Sequence, residues 1–346
     1  MQEIHIDEKT AGGRLDKVMI KYLDKAMPSF TYKMLRKKNI VLNDKKAAGS
    51  EILQKGDIIK LYLADDTIAK FHSERQNETR KTPTSFGKKR NGYTFAEMII
   101  YEDDNILAFN KPAGLLSQKS EPSDISVNEM VVKHIGKTDL FTPGISNRLD
   151  RNTSGLMIAG KNPAAVRIIN QAIKERYTTK LYLCIVQGRI SEDSTIEGYL
   201  IKNPVTNKVS VHGLRSDVKE RTSHAANEEK SSYIKTKYTV LDANDNATLL
   251  LVDLITGKSH QIRAHLASIG HPIIGDFKYG NNEINEAFKR KYKVKDQLLH
   301  AYKMKFDDLD GILEYLNGKE ITAPLPNIFN TVMKGEKLCL HGSQEA

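Results

Sequence analysis

The sequence predicts an α+β protein in two parts. The first is a small helix-helix-sheet unit, and the second is a larger domain with a mixed, mostly antiparallel central sheet flanked by helices. Three observations carry that prediction. At 346 residues the chain exceeds what one hydrophobic core ordinarily organises. Beyond Phe95, strand patterns outnumber helical ones and show no regular strand-helix-strand rhythm. Between the two parts lies ERQNETRKTPTSFGKKRNG, highly charged, poor in apolar residues and without periodicity. The boundaries read as 12–63 for the small unit, 64–94 for a flexible basic linker and 95–335 for the larger domain.

In the small unit, Leu15, Val18, Met19, Tyr22 and Leu23 recur at helical spacing and make one apolar face. A second helix over FTYKMLRKKN follows Pro28 and sets Lys33, Arg36 and Lys37 at i, i+3 and i+4. Three cations on one face repel one another unless an anion lies opposite. Short strands in NIVLND and DIIKLYL complete the unit.

The larger domain opens with a strand from Ile106 to Asn110 that ends in Lys-Pro-Ala-Gly. Gly155 to Ala159 reads as a short buried strand, and Asn162-Pro163 as a helix start, with Asn as cap and Pro in the first turn. TTKLYLCIVQG is a strand on which Lys180, Tyr182 and Cys184 share one face. Residues 202–230 read as a polar, exposed excursion. Strands are expected over Tyr233–Leu241 and Ala247–Leu254. The helix in SHQIRAHLASI has an apolar seam at Ile262, Leu266 and Ile269, closed by Gly270 and Pro272.

The net charge is +10, with a pI near 9.2. Residues 1–63 hold 13 basic and 8 acidic side chains, and residues 70–92 hold 7 and 2. A positive end on a nearly neutral body is suited to holding phosphates. No run of 18 apolar residues exists, and MQEIHIDEKT lacks a signal-peptide pattern, so no membrane attachment is expected. Two distant cysteines, Cys184 and Cys339, form neither a disulfide framework nor a zinc cluster. A reducing, cytoplasmic setting is expected.

Familiar chemistries fail on spacing. Thr256-Gly257-Lys258-Ser259 resembles the end of a phosphate-binding loop, but Val252 stands where a glycine is required. His260 and His265 are five apart, about 140° round a helix, which does not suit a shared metal. No G-x-S-x-G elbow is present. No metal and no cofactor are expected. What survives is Asp150, a lone acid between Arg148 and Arg151 in ISNRLDRNTSGLMIAGK. Basic neighbours favour its anion, which suits a nucleophile or an ion-pair anchor better than a general acid.

Several segments in order resemble the RluA family of pseudouridine synthases. ILAFNKPAGLL, NRLDRNTSGLMIAGK, KLYLCIVQG, TGKSHQIRAHLASIGHPIIGDFKYG and LLHA carry the resemblance, and GRLDKVMIKYL with the basic helix after it resembles an S4 RNA-binding domain. The resemblance covers most of residues 12–305 and implies the pseudouridine synthase fold. It implies isomerisation of uridine in RNA: the N1–C1′ bond breaks, the uracil turns, C5 joins C1′ and the C5 proton leaves. It places Asp150 as catalytic aspartate, Tyr182 as the residue stacked on the base, and Arg263 as the partner of Asp150. Arg148 would fill the space a flipped base vacates. Arg14, Lys33, Arg36 and Lys37 would grip RNA. The family's histidine before Arg-Leu-Asp is replaced by Asn147, which hydrogen-bonds but carries no charge. The expected substrate is 23S-type ribosomal RNA and the expected state a monomer. Transfer RNA modification and a non-catalytic role in ribosomal RNA assembly are the alternative readings.

Overall fold

A computed structural model describes residues 1–73, 94–203, 206, 208–213 and 231–340. The N-terminal part comprises β1 (Gln2–His5), α1 (Leu15–Tyr22), α2 (Pro28–Arg36), β2 (Ile40–Leu42), β3 (Lys45–Lys46), β4 (Ile58–Leu61) and α3 (Asp65–Phe71). Its strands form an antiparallel sheet in the order β1-β4-β2-β3. The predicted apolar face of α1 is buried: Leu15, Val18, Met19, Tyr22 and Leu23 join Met34, Leu35, Ile40, Ile59 and Leu61 in one cluster.

The larger part begins with α4 (Phe95–Met98), β5 (Ile99–Glu102), β6 (Ile106–Lys111), α5 (Val127–Ile135), β7 (Gly144–Ile145), β8 (Ser154–Gly160) and α6 (Pro163–Glu175). It continues through β9 (Thr178–Gln187), β10 (Ser194–Lys202), β11 (Val209–His212), β12 (Ser232–Ala243), β13 (Ala247–Asp253), α7 (Gln261–Ser268) and α8 (Asn282–Tyr292). It closes with β14 (Leu299–Phe306), β15 (Glu320–Thr322) and α9 (Asn327–Glu336). Eleven of the described strands make one sheet in the order β11-β10-β12-β13-β9-β14-β8-β6-β5, with β15 on β14 and β7 on β8. Only the β14–β8 pair is parallel among the described residues, so the sheet is mixed and mostly antiparallel as expected. The Asn162 side chain caps α6 by accepting from Ala165 N at 2.9 Å, with Pro163 in the first turn.

Three expectations change. Gln2–His5 pairs with β4, so the small unit begins before residue 12. The linker was expected to start at residue 64, but Asp65–Phe71 is a helix whose Ile68 and Phe71 pack on the small unit's core. An apolar i, i+3 pair in so short a segment is too weak a signal to read against its charged neighbours. The remainder of that linker, 74–93, lies outside the described residues. In the 202–230 excursion, Val209–His212 is a strand on β10 with Val209 buried, while 214–230 lies outside the description.

The two parts touch. A Cβ on Gly12 would stand 2.3 Å from the Ala164 Cβ, and Arg167 Nε donates to Gly12 O at 3.3 Å. Leu140 also packs against the small unit's core. Among the described residues no helix is long and apolar enough to cross a membrane.

Candidate active site

The site is floored by the centre of the large sheet. Register sets Gly155 of β8, Ala301 of β14, Tyr182 of β9 and Val252 of β13 in one row. Residues paired this way present their side chains to one face. Val252 therefore stands on one side of Tyr182, while on the other there is only the Ala301 methyl group and beyond it, at Gly155, no side chain at all. Gly155 is required there: its φ is +117°, and a Cβ would lie 2.3 Å from Ala301 O. Tyr182 itself is buried.

Asp150 sits in the loop entering β8, and that loop is held from several sides. The Asn147 amide donates to Leu156 O at 3.2 Å and accepts from Ile158 N at 2.9 Å, pairing with β8 as a backbone unit would. Ser117 Oγ donates to Leu149 O at 2.6 Å and accepts from Leu149 N at 3.0 Å. Lys111, with no exposed surface, donates its ammonium to the carbonyls of Pro112, Leu115 and Arg151 at 2.9–3.0 Å. Burial pushes its pKa down to about 7, with Asp150 and Asp296 pulling upward. Three carbonyls, which only accept, hold the protonated form in place.

The charge that meets Asp150 comes from α7. Arg263 Nη1 donates to Asp150 Oδ2 at 2.7 Å, across 113 residues of sequence. Its other two nitrogens fork onto Asp276: Nε to Oδ2 at 2.7 Å and Nη2 to Oδ1 at 2.9 Å. Asp276 is fully buried, and its Oδ1 also accepts from Lys278 N and Tyr279 N. Burial works against the guanidinium's charge, but Asp276 and then Asp150 more than restore it, so its pKa ends above the usual arginine value. Asp150 Oδ1 has no hydrogen bond among the described residues, so one carboxylate oxygen is anchored and one is free.

His260 also approaches the carboxylate, with Nε2 3.9 Å from Asp150 Oδ2. Its Nδ1 is 2.8 Å from the Tyr279 hydroxyl, which already accepts from Val209 N at 3.0 Å. The phenol's own hydrogen can be given to Nδ1. Burial lowers the His260 pKa; Asp150 opposes this, while Arg263 and Lys278 add to it. The Arg263 guanidinium lies 5.1 Å from the Tyr279 ring centre. For Tyr182, burial and then the Asp150 charge push the phenol's pKa above its usual value.

The sequence-selected residues divide into two places. Asp150, Tyr182 and Arg263 converge on this cleft. Arg148 is exposed, with Nη1 3.4 Å from Gln118 Oε1, so the arginines flanking Asp150 in sequence are not its partners. Lys33 and Arg36 on α2 and Lys37 at its C-terminal end stand exposed, with no side-chain partner among the described residues. Arg14 forks onto buried Asp16, which also accepts from the exposed Tyr32 hydroxyl at 2.9 Å. Sequence reasoning missed Asp276, Tyr279, His260 as a neighbour of Asp150, and the depth of Lys111. The one available signal was the run GDFKYG, whose acid and aromatic follow α7 closely. Thr153 Oγ1 accepts from Gln297 Nε2 at 3.1 Å, and Ser154 Oγ pairs with His300 Nδ1 at 2.8 Å.

The fold is shared with known proteins. A solved structure titled Human RNA Pseudouridylate Synthase Domain Containing 4 superposes with a TM-score of 0.53 at 19% identity, covering 70% of this chain and 94% of that one. A second, Human RNA Pseudouridylate Synthase Domain Containing 1, gives 0.51 at 23% identity, over 67% and 86%. The fold is therefore that of a pseudouridine synthase. By sequence, the model of the family described as RNA pseudouridylate synthase matches residues 105–268. The Rickettsia bellii protein named Ribosomal large subunit pseudouridine synthase C is 32% identical over 333 residues, 92% of this chain and 96% of that protein. Its Vibrio parahaemolyticus namesake is 28% identical over 338 residues, 97% and 96%. The chain belongs to the RNA pseudouridylate synthase family, in its RluA-type group. It is an isomerase that converts uridine in RNA to pseudouridine.

Proposed function

We propose that this enzyme modifies uridines of large-subunit ribosomal RNA in the cytoplasm, as a monomer, with Asp150 as the catalytic carboxylate. The substrate rests on the names of relatives that align over nearly the whole chain. The observation that carries the site is the Asp150–Arg263 contact at 2.7 Å, with Arg263 clamped behind by buried Asp276. A contact held this way anchors and orients Oδ2 and leaves Oδ1 without a protein donor among the described residues. Attack at the ribose, attack at the base and an assisted glycal path all need an oxygen presented in that way. Tyr182 forms the surface on which the flipped uracil stacks. With its pKa raised, the phenol is neutral at neutral pH, so it serves as platform and hydroxyl rather than as a phenolate base.

Residues 2–73 are assigned as an S4-type RNA-gripping unit, with Lys33, Arg36, Lys37 and Arg14 facing the phosphates beside Tyr32. Arg148, exposed beside the cleft, is assigned to the gap left by the flipped base. The test of the site uses ribosomal and transfer RNA tritiated at uridine C5. Release from ribosomal RNA that vanishes in Asp150→Asn is the expected result. Equal release by that variant removes Asp150 from the mechanism, and release from transfer RNA alone removes the substrate assignment. For the small unit, K33Q/R36Q/K37Q should flatten the dependence of log affinity on log salt by roughly 2, at about 0.7 per lost phosphate contact. An unchanged slope refutes the grip.

A further inference from the structure

A second cleft opens next to the site. Its volume is about 640 Å³, and it lies between the start of β9 and the turn Leu254–Lys258, with Arg176 and Tyr233 at its sides. Its walls continue the two segments that build the active site. Lys180 precedes Tyr182 by two residues on the same face of β9, about 6.6 Å along the strand. Lys258 precedes His260 by two, and His260 lies against Asp150.

The lining of this cleft has the chemistry of an anion seat. Lys180 is half-buried, and its Nζ lies 3.6 Å from where a Cβ on Gly257 would stand. Among the described residues its ammonium has no hydrogen-bond or ion-pair partner. Burial lowers its pKa and Arg176 adds to that; Asp253 opposes it. Among the described residues Asp253 is the one carboxylate of the lining, and it sits directly across the strands from Lys237, whose charge also reaches it. Lys174 leans on Glu175 at 3.4 Å, whereas Arg176 and Lys258 are exposed at the rim. Half-burying an ammonium without a partner is costly unless an anion completes it. The turn is rigid: Gln261 Oε1 accepts from Lys258 N and Thr256 Oγ1, and Gln261 Nε2 donates to Lys235 O and Thr236 Oγ1.

We propose that this cleft seats a backbone phosphate of the substrate RNA, one nucleotide from the uridine, with Lys180 as inner anchor and Arg176 and Lys258 at the mouth. The proposal rests on the functional reading above and deepens it. It fixes which side of Tyr182 the strand leaves by, because the anchor and the stacking phenol share one face and lie one nucleotide's span apart.

The experiment uses the full-length protein and C5-tritiated large-subunit ribosomal RNA, with neutral methylphosphonates placed singly on either side of the modified uridine. Release by the wild-type protein secures the reading beneath; absence of release defeats that reading. One methylphosphonate should lower kcat/KM about tenfold, the scale of one charge-assisted hydrogen bond. Lys180→Gln should lose a similar factor on all-phosphate RNA. The two changes together should lose little beyond either one alone. Additive losses with an active wild type overturn the subsite and nothing else. The exposed pair R176Q/K258Q guards against misfolding of the Lys180 variant. It should reduce the slope of log affinity against log salt by about 1.4, two contacts at about 0.7 each. Lys334→Gln, on the surface of α9, should leave that slope alone. Equal slopes for the wild type and the rim pair overturn the proposal.

Discussion

Replacing Asp276 by Asn tests whether the second carboxylate is what aims Arg263. Among the described residues, Asp276 Oδ1 takes three donors, from Arg263 Nη2, Lys278 N and Tyr279 N, whereas Oδ2 takes only Arg263 Nε. The amide oxygen of Asn will therefore occupy the Oδ1 position, and its NH2 will face Nε–H, donor against donor. One charge-assisted bond is lost, about 2 kcal/mol, and buried donors are left unpaired at about 1–3 kcal/mol more. The sum, about 3–5 kcal/mol, agrees with the usual cost of breaking a buried ion pair. Catalysis suffers separately. Without the fork, the guanidinium rotates and carries Asp150 Oδ2 with it, and displacement of about 1 Å at a reacting group costs on the order of 100-fold. The assays are urea denaturation and single-turnover tritium release at saturating RNA. Stability within about 1 kcal/mol of wild type, together with release within about threefold, would refute the clamp.

Other perturbations probe the scaffold. Lys111→Met keeps the shape but strands three carbonyls, one of them at Arg151 beside the catalytic loop. A loss of about 3 kcal/mol is expected by urea denaturation, with a fall in release rate under folding conditions; wild-type behaviour in both would show the ammonium idle. Histidines 265 and 300 are fully buried and each is pushed down to about 4 by burial. Because their folded pKa values lie below the ordinary 6.5, their stabilisation is present above that value and is lost as pH falls toward 4. Each should remove about 2 kcal/mol between pH 8 and pH 5, and His300→Gln should flatten that slope in denaturation curves. Equal slopes in variant and wild type would contradict the assignment.

Local patterns were legible in the sequence because local forces set them. The Asn162-Pro163 start of α6, the buried face of α1 and the alternation along β9 follow from propensity, capping and period, which act over a few residues. Asp150 stood out because a lone acid among arginines is unusual within a short window, and Arg263 entered through its motif. The helix Asp65–Phe71 and the strand Val209–His212 were illegible because what covers their apolar side chains lies far away in sequence: the small unit's core over Ile68, and Ile234 and Ala264 over Val209.

The sequence by itself determined the element types, the strand-rich α+β architecture and the motifs that place the chain among RNA pseudouridylate synthases. Tertiary structure decided which charge meets which. It turned Arg148 toward Gln118 and brought Arg263 to Asp150 from 113 residues away. It also buried Asp276 behind Arg263 and sank Lys111 under the loop. The reason is range: propensity and periodicity act between near neighbours, whereas an ion pair in a dry interior is fixed only once the sheet has drawn distant segments within a few ångströms.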